Sequence, residues 1–282
     1  MTDDIISLLQ NARDANYSDK FRQGNLIILP PDATLVATGD IHGHHRNFQR
    51  IITYADLASH PQRHLIFQEI IHGGPVDEKG NCLSYKLLFD AVRYKVDFPD
   101  RVHFIMANHD ATFINNGQVI KDGKEMNRSM VSAIDREFQA HSSSVKSAMA
   151  DFFFSQPLAV KCPNRIWLSH SLPADRYVDV FDKEIFTRKL TLEDTIQPGS
   201  AYLLTWGRKH IQDTLDKMAK LLDVDLFILG HQRQPQGWSQ AGRNLLIIAS
   251  DHNHGCLLPI DLSKYYSIEQ LTSSIIPLAS IA

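Results

Sequence analysis

Residues 39–44, Gly-Asp-Ile-His-Gly-His, combine side chains that bind metal ions with glycines that let the backbone turn. Asp40 and His42 stand two positions apart, so extended backbone points both side chains to the same side. The flanking glycines permit a sharp turn and the close approach of a ligand. A carboxylate and an imidazole placed in this way predict the beginning of a metal site. The alternative is that Asp40 caps the next helix and His42 is an ordinary loop histidine.

Similar polar residues recur along the chain, and this recurrence favours the metal site over the alternative. Four later segments place Glu, Asn or His directly after an apolar run. They are residues 68–74 (Gln-Glu-Ile-Ile-His-Gly-Gly), 108–110 (Asn-His-Asp), 170–173 (His-Ser-Leu-Pro) and 230–232 (Gly-His-Gln).

The apolar runs before these motifs predict buried β-strands, because they are short, rich in β-branched residues and nearly free of charge. Stretches with helical spacing of apolar residues alternate with them, which is typical of an α/β architecture. Ligands of such sheets collect at the carboxyl ends of the strands, where the motifs lie. The predicted strands are residues 33–38, 64–74 (ending in a glycine turn), 101–107, 165–169 and 226–229, and the predicted helices are residues 46–58, 83–96 and 211–222.

The chain is predicted to form one domain over residues 1–282, because no repeat, low-complexity block or flexible linker divides it. The apolar stripe of residues 4–15 predicts a helix docked outside the central sheet. Residues 115–160 contain a Gly- and Asn-rich connection followed by a long helical pattern at residues 130–154. We expect this stretch to form a helical insertion or cap beside the site, with loops that shape the choice of substrate.

The composition is that of a globular protein: of 282 residues, 43% are hydrophobic and 22% charged. The net charge is -3 without a basic run, so neither a nucleic acid polymer nor a membrane is expected as a partner. The acidic N-terminus and the absence of an 18-residue apolar stretch predict neither secretion nor insertion. Cys82, Cys162 and Cys256 lie far apart in the sequence, which indicates a reducing, cytoplasmic setting rather than disulfides or a thiolate zinc site.

Together the motifs at residues 39–43, 108–110, 170–173 and 230–232 resemble those of the calcineurin-like metallophosphoesterases. Their order and surroundings are most similar to the Ser/Thr phosphoprotein phosphatase branch, over residues 33–256. The resemblance implies a four-layer α/β/β/α sandwich with a helical insertion. It also implies that the protein is a metal-dependent phosphoric ester hydrolase.

The resemblance implies a centre for two divalent or trivalent transition-metal ions. Asp40 and His42 would bind the first ion, while Asn108, His170 and His231 would bind the second. Oxygen and nitrogen ligands without thiolate suit Mn, Fe or Zn better than Ca or Mg. Two such ions roughly 3.5–4 Å apart can share a hydroxide and stabilise an in-line displacement at phosphorus.

The sequence departs from the family in the motif that supplies a bridging aspartate and a phosphate-binding arginine. Strand position puts Glu69 where the bridging Asp is expected, His72 at the second Asp and Gly73 at the Arg. A competing alignment uses residues 73–77, Gly-Gly-Pro-Val-Asp, and would put Gly74 at the bridging position, where no ligand is possible. We favour Glu69 because it directly follows the apolar strand.

The resemblance also implies which residues act on the substrate. His109 would protonate the leaving-group oxygen, with Asp110 or His72 as its orienting partner. A phosphate dianion needs a cationic partner, and Arg208, in a stretch similar to the family's Leu-Leu-Trp segment, is preferred for that role. The further candidates for substrate contact are Arg46, His44 and His252. For Arg208 and Arg46 alike, a position on the solvated surface is the alternative.

The leading functional prediction is hydrolysis of phosphate monoesters, on a phosphoprotein or a small phosphoester, with Ser/Thr protein phosphatase activity as its specific form. One alternative is hydrolysis of a dinucleoside polyphosphate or another nucleotide, since related enzymes share the ligand set. A second alternative is a degenerate metallophosphatase fold that binds a partner without catalysis. The altered motif around Glu69 keeps this last alternative open.

Overall fold

A computed structural model describes residues 2–121 and 124–282 of the chain. Helices and strands alternate along most of it, as the sequence pattern predicts. The α-helices are α1 (Thr2–Tyr17), α2 (His45–Ala55), α3 (Tyr85–Asp97), α4 (Asn108–Ile114), α5 (Met126–Phe138), α6 (Ser142–Ser155), α7 (Ser200–Trp206), α8 (Gln212–Leu222) and α9 (Ile268–Ser273). Short 3-10 helices lie at Gln139–His141, Asp175–Val180, Lys183–Phe186, Glu193–Thr195 and Leu278–Ser280.

The strands form two large sheets and one small hairpin. The strands are β1 (Arg22–Gln23), β2 (Leu26–Ile28), β3 (Thr34–Asp40), β4 (Arg63–Gln68), β5 (Val102–Ile105), β6 (Ile120–Lys121), β7 (Lys124–Glu125), β8 (Ala159–Lys161), β9 (Ile166–Ser169), β10 (Leu226–Leu229), β11 (Trp238–Ala241), β12 (Leu245–Ile248), β13 (Cys256–Asp261) and β14 (Ile276–Pro277).

The strand order brings the carboxyl ends of the motif-bearing strands together. One sheet has the order β14-β13-β3-β4-β5, and β3, β4 and β5 run parallel to one another. The other has the order β1-β2-β8-β9-β10-β12-β11, with β9, β10 and β12 parallel. The sheets also meet directly, because Asp40 at the end of β3 forms a bridge with Ala249 after β12.

Alternating side chains of each strand build separate cores on the two faces of each sheet. Leu35 and Ala37 of β3 join Ile228 of β10 in the core between the sheets. Val36 of β3 instead packs in the outer core that α1, α2, α3, α5 and α6 cover, and Phe227 of β10 packs in the core that α7 and α8 cover. The predicted four-layer α/β/β/α sandwich is therefore confirmed.

Residues 115–160 differ from the expected pattern in two respects. The helical pattern predicted to run through residues 130–154 is broken into α5 and α6, because Gln139 adopts a left-handed φ of 46°. Helix α6 packs against α1 and α4 within the outer helical layer. The connection before α5 reaches the site, where Val119 and Ile120 line the main cavity, and so does the start of α5, where Asn127 contacts His72.

Two smaller expectations concern the surroundings of the chain. Across residues 2–121 and 124–282, the helices are all too short or too polar to cross a membrane. The three cysteines of the sequence, Cys82, Cys162 and Cys256, are buried free thiols.

The run at residues 201–208, which the sequence left unassigned, forms α7.

Candidate metal centre

The side chains predicted as metal ligands come from five strand ends and lie at one place. Asp40 ends β3, Glu69 follows β4, and Asn108 begins α4 after β5. His170 follows β9 and His231 follows β10 in the opposite sheet. Because these strands run parallel within each sheet, their carboxyl ends meet at the edge where the sheets approach each other.

A first group of possible ligand atoms comprises Asp40, His42 and Glu69, all within 4.8 Å of one another. The Nε2 atom of His42 lies 3.5 Å from Oε2 of Glu69 and 4.0 Å from Oδ2 of Asp40. Its Nδ1 atom lies 3.0 Å from the carbonyl oxygen of Ile71, which only an N–H group can satisfy. With that proton on Nδ1, the other ring nitrogen, Nε2, is the one that faces the two carboxylates.

A second group comprises Glu69, His170 and His231, again with ligand atoms within 4.8 Å of one another. The Oδ1 atom of Asn108 joins it, at 2.8 Å from Nε2 of His170 and 3.0 Å from Nδ1 of His231. His170 Nε2 also lies 3.5 Å from Oε2 of Glu69. Separations of about 3 Å are those of neighbouring ligand atoms that each lie about 2.1 Å from one ion. Glu69 is the residue that both groups share.

Gln68 fixes the orientation of His170. Its Nε2 donates to the carbonyl oxygen of Thr38 at 2.9 Å, so its Oε1 faces Nδ1 of His170 at 3.3 Å. An amide oxygen accepts, so Nδ1 of His170 carries the proton and Nε2 keeps its lone pair toward Glu69 and Asn108. Outer hydrogen bonds of this kind orient ligating histidines in metal sites.

Burial disfavours the charged form of the two carboxyl groups, so a bound cation would stabilise them. Burial and then, for Glu69, repulsion from the neighbouring Asp40 raise the pKa of both carboxyls, that of Glu69 well above its usual value. Burial lowers the pKa of His170 well below its usual value and that of His231 to about 3. The imidazoles thus remain neutral donors beside two carboxylates, a donor set that fits divalent transition-metal ions.

The backbone at the site is held in a conformation that L-residues rarely adopt. His42, Glu69, His72 and His231 have φ values of 46°, 42°, 66° and 64°. Such left-handed positions cost on the order of 1 kcal/mol each and are concentrated at functional sites. The surrounding strands therefore hold these four side chains in directions that an extended backbone would not give them.

Close backbone contact explains why the sequence has glycine where the family pattern has arginine. A Cβ atom at Gly73, which has a φ of +147°, would lie 2.4 Å from the carbonyl oxygen of His42. The segments after β3 and β4 thus touch at Gly73, so no arginine can stand there. Asp77, the carboxylate of the competing alignment, lies 2.6 Å from Arg136 in an ion pair outside both ligand groups.

The three residues predicted to act as or beside the general acid lie together. His109 lines the main cavity, and its Nε2 is 3.8 Å from Oε1 of Glu69. The ring of His72 packs edge to face on that of His109, with centroids 4.6 Å apart. Asp110 instead accepts from the backbone N–H of Ala107 at 3.0 Å, and burial raises the pKa of its carboxyl to about 7. Asp110 therefore caps α4.

The predicted substrate contacts divide into two pairs. Arg208 and His252 line the cavity of about 810 Å³ that contains the ligand groups. The Nε of Arg208 lies 3.0 Å from Nε2 of His231, whereas both ring nitrogens of His252 bond to backbone groups of residues 234 and 254. Arg46 is exposed on α2 and lines a different cavity with Arg50.

His44, the other member of the second pair, serves as a helix cap. Its Nδ1 accepts from the backbone N–H of Asn47 at 3.2 Å, at the beginning of α2. The capping role that the sequence offered as an alternative for Asp40 thus belongs to His44. Asp40 is left to face the ligand groups, where its Oδ1 accepts from the backbone N–H of His231 at 2.9 Å.

Several residues that contribute to the site carried little signal in the sequence. Gln68 ends β4 and looked like part of the strand, although a polar residue closing an apolar run was a usable signal. Arg233, two residues after His231, lines the cavity, and so does Asp251, three residues after the end of β12. Trp206 is half-buried at the cavity wall and stacks on Tyr202.

Known structures that resemble this fold include phosphatases of low sequence identity. A protein serine/threonine phosphatase from Saccharomyces cerevisiae with similarity to human phosphatase PP5 is 14% identical, with a TM-score of 0.67, and the match covers 99% of this chain and 93% of that one. A cold-active protein-tyrosine phosphatase of a psychrophilic Shewanella is also 14% identical, with a TM-score of 0.57 and coverage of 86% and 78%.

The sequence itself places the chain in a family. Comparison with curated proteins gives no match. The sequence model of the calcineurin-like phosphoesterases matches residues 33–235, which is more than half of the chain and includes all six predicted ligands. The expected resemblance is confirmed, and the chain belongs to the calcineurin-like phosphoesterase family, whose members are metal-dependent phosphoesterases.

Proposed function

We propose that this protein is a two-metal phosphoesterase that hydrolyses phosphate monoesters. The observation that carries the proposal is the position of Glu69, which belongs to both groups of possible ligand atoms. A carboxylate has two oxygens and can bridge two ions, so one residue can join two metal sites. The longer Glu side chain thus takes the place of the family's bridging Asp.

Six residues would hold the ions. Asp40 and His42 would bind one ion, while Asn108, His170 and His231 would bind the other, with Glu69 between them. Mn, Fe or Zn suits these oxygen and nitrogen donors. When bound, a pair of such ions activates the attacking water and neutralises charge on the phosphoryl oxygens.

The chain's own residues would handle the leaving group. His109 lies on the cavity wall beside Glu69, where a substrate bound at the ligand groups would reach it. We assign it the donation of a proton to the leaving oxygen, a role worth about 10²–10⁴-fold in rate. Asp110 supports this role indirectly, because its cap at Ala107 sets where α4 begins and thus where His109 points.

Arg208 is the residue proposed to bind the phosphate. Its Nε lies 3.0 Å from Nε2 of His231, at the edge of the second ligand group, and the exposed residue lines the cavity. Because Gly73 leaves no cation at the arginine position of the motif after β4, we assign the charge that neutralises a phosphate dianion to another element. Arg208 supplies it from the segment after α7.

A phosphoprotein is the proposed natural substrate class. The cavity is open and large, and it has an apolar wall to which Ile120, which is 70% exposed, and Trp206 contribute. Such a wall suits the side chains that flank a phosphorylated residue. The similar structures from Saccharomyces cerevisiae and Shewanella are described as protein phosphatases, and this supports the same class here.

The proposal is tested with purified protein loaded with Mn²⁺, by metal analysis and a substrate panel. We expect metal to be bound and p-nitrophenyl phosphate and a phosphoserine peptide to be hydrolysed faster than diadenosine tetraphosphate. His231→Ala should lose metal, whereas His60→Ala, at a surface position on the loop after α2, should behave as wild type.

The same experiment distinguishes the alternatives. His109→Ala should keep its metal and lose about 10²-fold or more in kcat on the phosphopeptide. Bound metal with activity unchanged by this substitution would remove the role assigned to His109. Absent metal together with no turnover would favour a binding protein with a degenerate site, and preference for diadenosine tetraphosphate would favour a nucleotide hydrolase.

A further inference from the structure

The beginning of α5 reaches from the insertion into the candidate site. Asn127, the second residue of this helix, is 8% exposed. Its Oδ1 lies 2.6 Å from Nε2 of His72, and its Nδ2 donates to the carbonyl oxygen of Gly117 at 3.0 Å. The side chain thus connects His72, beside the ligand groups, with the connection that precedes α5.

The contact of Asn127 with Gly117 determines which atom of its side-chain amide faces His72. Because a carbonyl oxygen accepts only, the NH₂ group of Asn127 has to face Gly117. The amide oxygen then faces His72, so Nε2 of His72 has to carry a proton and donate it. The carboxylate of Glu125 accepts from the backbone N–H of Asn127 at 3.1 Å and holds the start of the helix in place.

His72 in turn lies against the proposed general acid. Its ring meets that of His109 at an angle of 63°, with centroids 4.6 Å apart, and the residue is 1% exposed. Its backbone N–H donates to Oγ of Ser84 at 2.8 Å, which fixes the main chain. With the backbone fixed, the bond to Asn127 fixes the rotation of the ring, and the ring limits where the imidazole of His109 can lie.

We propose that Asn127 is a positioning residue for cleavage of the phosphoester, acting through His72 on His109. This inference rests on the proposed function, because it needs His109 as the proton donor. Asn127 has a second effect through Gly117, since it ties down the connection that carries Val119 and Ile120 to the cavity wall. The insertion therefore contributes to the chemistry as well as to the shape of the cavity.

The test compares leaving groups, because a proton donor matters most for a basic leaving oxygen. We expect Asn127→Ala to lower kcat about 10-fold on a phosphoserine peptide, whose leaving group is an alkoxide, and less than 3-fold on p-nitrophenyl phosphate. Asn127→Asp keeps an acceptor for His72 and should restore most of the kcat on the peptide. Because Asn127→Asp loses the NH₂ group that donates to Gly117, we expect its KM to differ from that of the wild type.

Glu125→Ala is the matched control for a loosened helix start. It removes the cap at the same end of α5 but leaves the amide of Asn127 in place. We expect it to change kcat on the two substrates by the same factor. The inference is refuted if Glu125→Ala reproduces the dependence on the leaving group, or if Asn127→Ala lowers kcat equally on both substrates or not at all.

Nitrogen NMR of ¹⁵N-histidine-labelled protein gives a readout that does not depend on activity. The His72 signals, assigned by their loss in His72→Gln, should show the proton on Nε2 in the wild type and in Asn127→Asp, and a mixture of tautomers in Asn127→Ala. A wild-type proton on Nδ1 refutes the inference alone. A wild type that hydrolyses neither substrate, with the Nε2 proton in place, refutes the proposed function and with it the catalytic part of the inference.

Discussion

Replacing Glu69 by Gln should make the metal-free protein more stable and the metal-loaded protein less stable. The Glu69 carboxylate is 3% exposed, and burial together with the nearby Asp40 raises its pKa well above the usual value. Gln has the same size and keeps an oxygen for the backbone N–H of His109, which lies 3.3 Å from Oε1. The substitution therefore removes a buried ionisable group with little change in packing.

The sign of the effect follows from the raised pKa. Each unit of pKa difference between the folded and unfolded states corresponds to about 1.4 kcal/mol. In EDTA at neutral pH we expect Glu69→Gln to raise the free energy of unfolding by on the order of 1 kcal/mol, which corresponds to a Tm increase of about 2–4 °C. Since a raised pKa means that the folded state binds more protons, wild-type stability should fall as pH rises above about 4.3, and this slope should weaken in the variant.

Bound metal should reverse which of the two proteins, wild type or Glu69→Gln, is the more stable. At a Mn²⁺ concentration of about 100 times Kd, the ions stabilise the wild type by about 2.7 kcal/mol. Glu69→Gln lacks the charge shared by both ligand groups and should gain much less. Thermal unfolding followed by circular dichroism, in EDTA and in Mn²⁺, measures both effects, with the exposed Glu193→Gln as a control that should change neither. A variant less stable than the wild type in EDTA, or equally stabilised by Mn²⁺, would refute the reasoning.

Two further predictions concern the packing of the site and a buried network outside it. Gly230→Ala would place a Cβ atom 2.4 Å from Oδ1 of Asp40 and displace this carboxylate. We therefore expect the Mn²⁺ affinity, measured by calorimetric titration, to fall about 10-fold or more. An unchanged affinity would contradict this packing. Burial and repulsion from His103, whose Nε2 lies 2.9 Å from its Nδ1, lower the pKa of His64 to about 3. Because the unfolded state binds the extra proton between the two pKa values, this group should cost up to about 1.4 kcal/mol per pH unit below about 6.5. Urea unfolding in EDTA should therefore show a shallower loss on acidification for His64→Phe than for the wild type, and equal slopes would contradict the assignment.

The sequence predicted the strands and their polar ends well because one physical rule controls both. An apolar run that stops at Asp40, Glu69 or His170 has to leave the core there, and parallel strands leave it on the same side. The convergence of β3 and β4 with β9 and β10 follows from that rule. The order of the strands within each sheet did not have to be known to expect a shared site.

Contacts between segments that are distant in sequence could not be predicted in this way. Asn127 lies 55 positions from His72, in an insertion whose path the sequence pattern did not reveal. The break between α5 and α6 at Gln139 has neither Gly nor Pro to mark it, so the periodicity ran through it. His44 caps α2 with a ring nitrogen, a role for which histidine is not among the usual residues.

The substitution of glycine for arginine after β4 has consequences for how the site recognises an anion. The segments after β3 and β4 approach so closely that the position of Gly73 admits no side chain, so the five-stranded sheet supplies ligand carboxylates but no phosphate-binding arginine from this motif. The cations on the cavity wall, Arg208 and Arg233, both belong to segments on the side of the seven-stranded sheet. In the proposed mechanism, Arg208 would therefore neutralise the phosphoryl oxygens from that side, while His109, in the helix after β5, would protonate the leaving group. The proposed proton donor and the proposed phosphate-binding cation thus come from segments on the sides of different sheets.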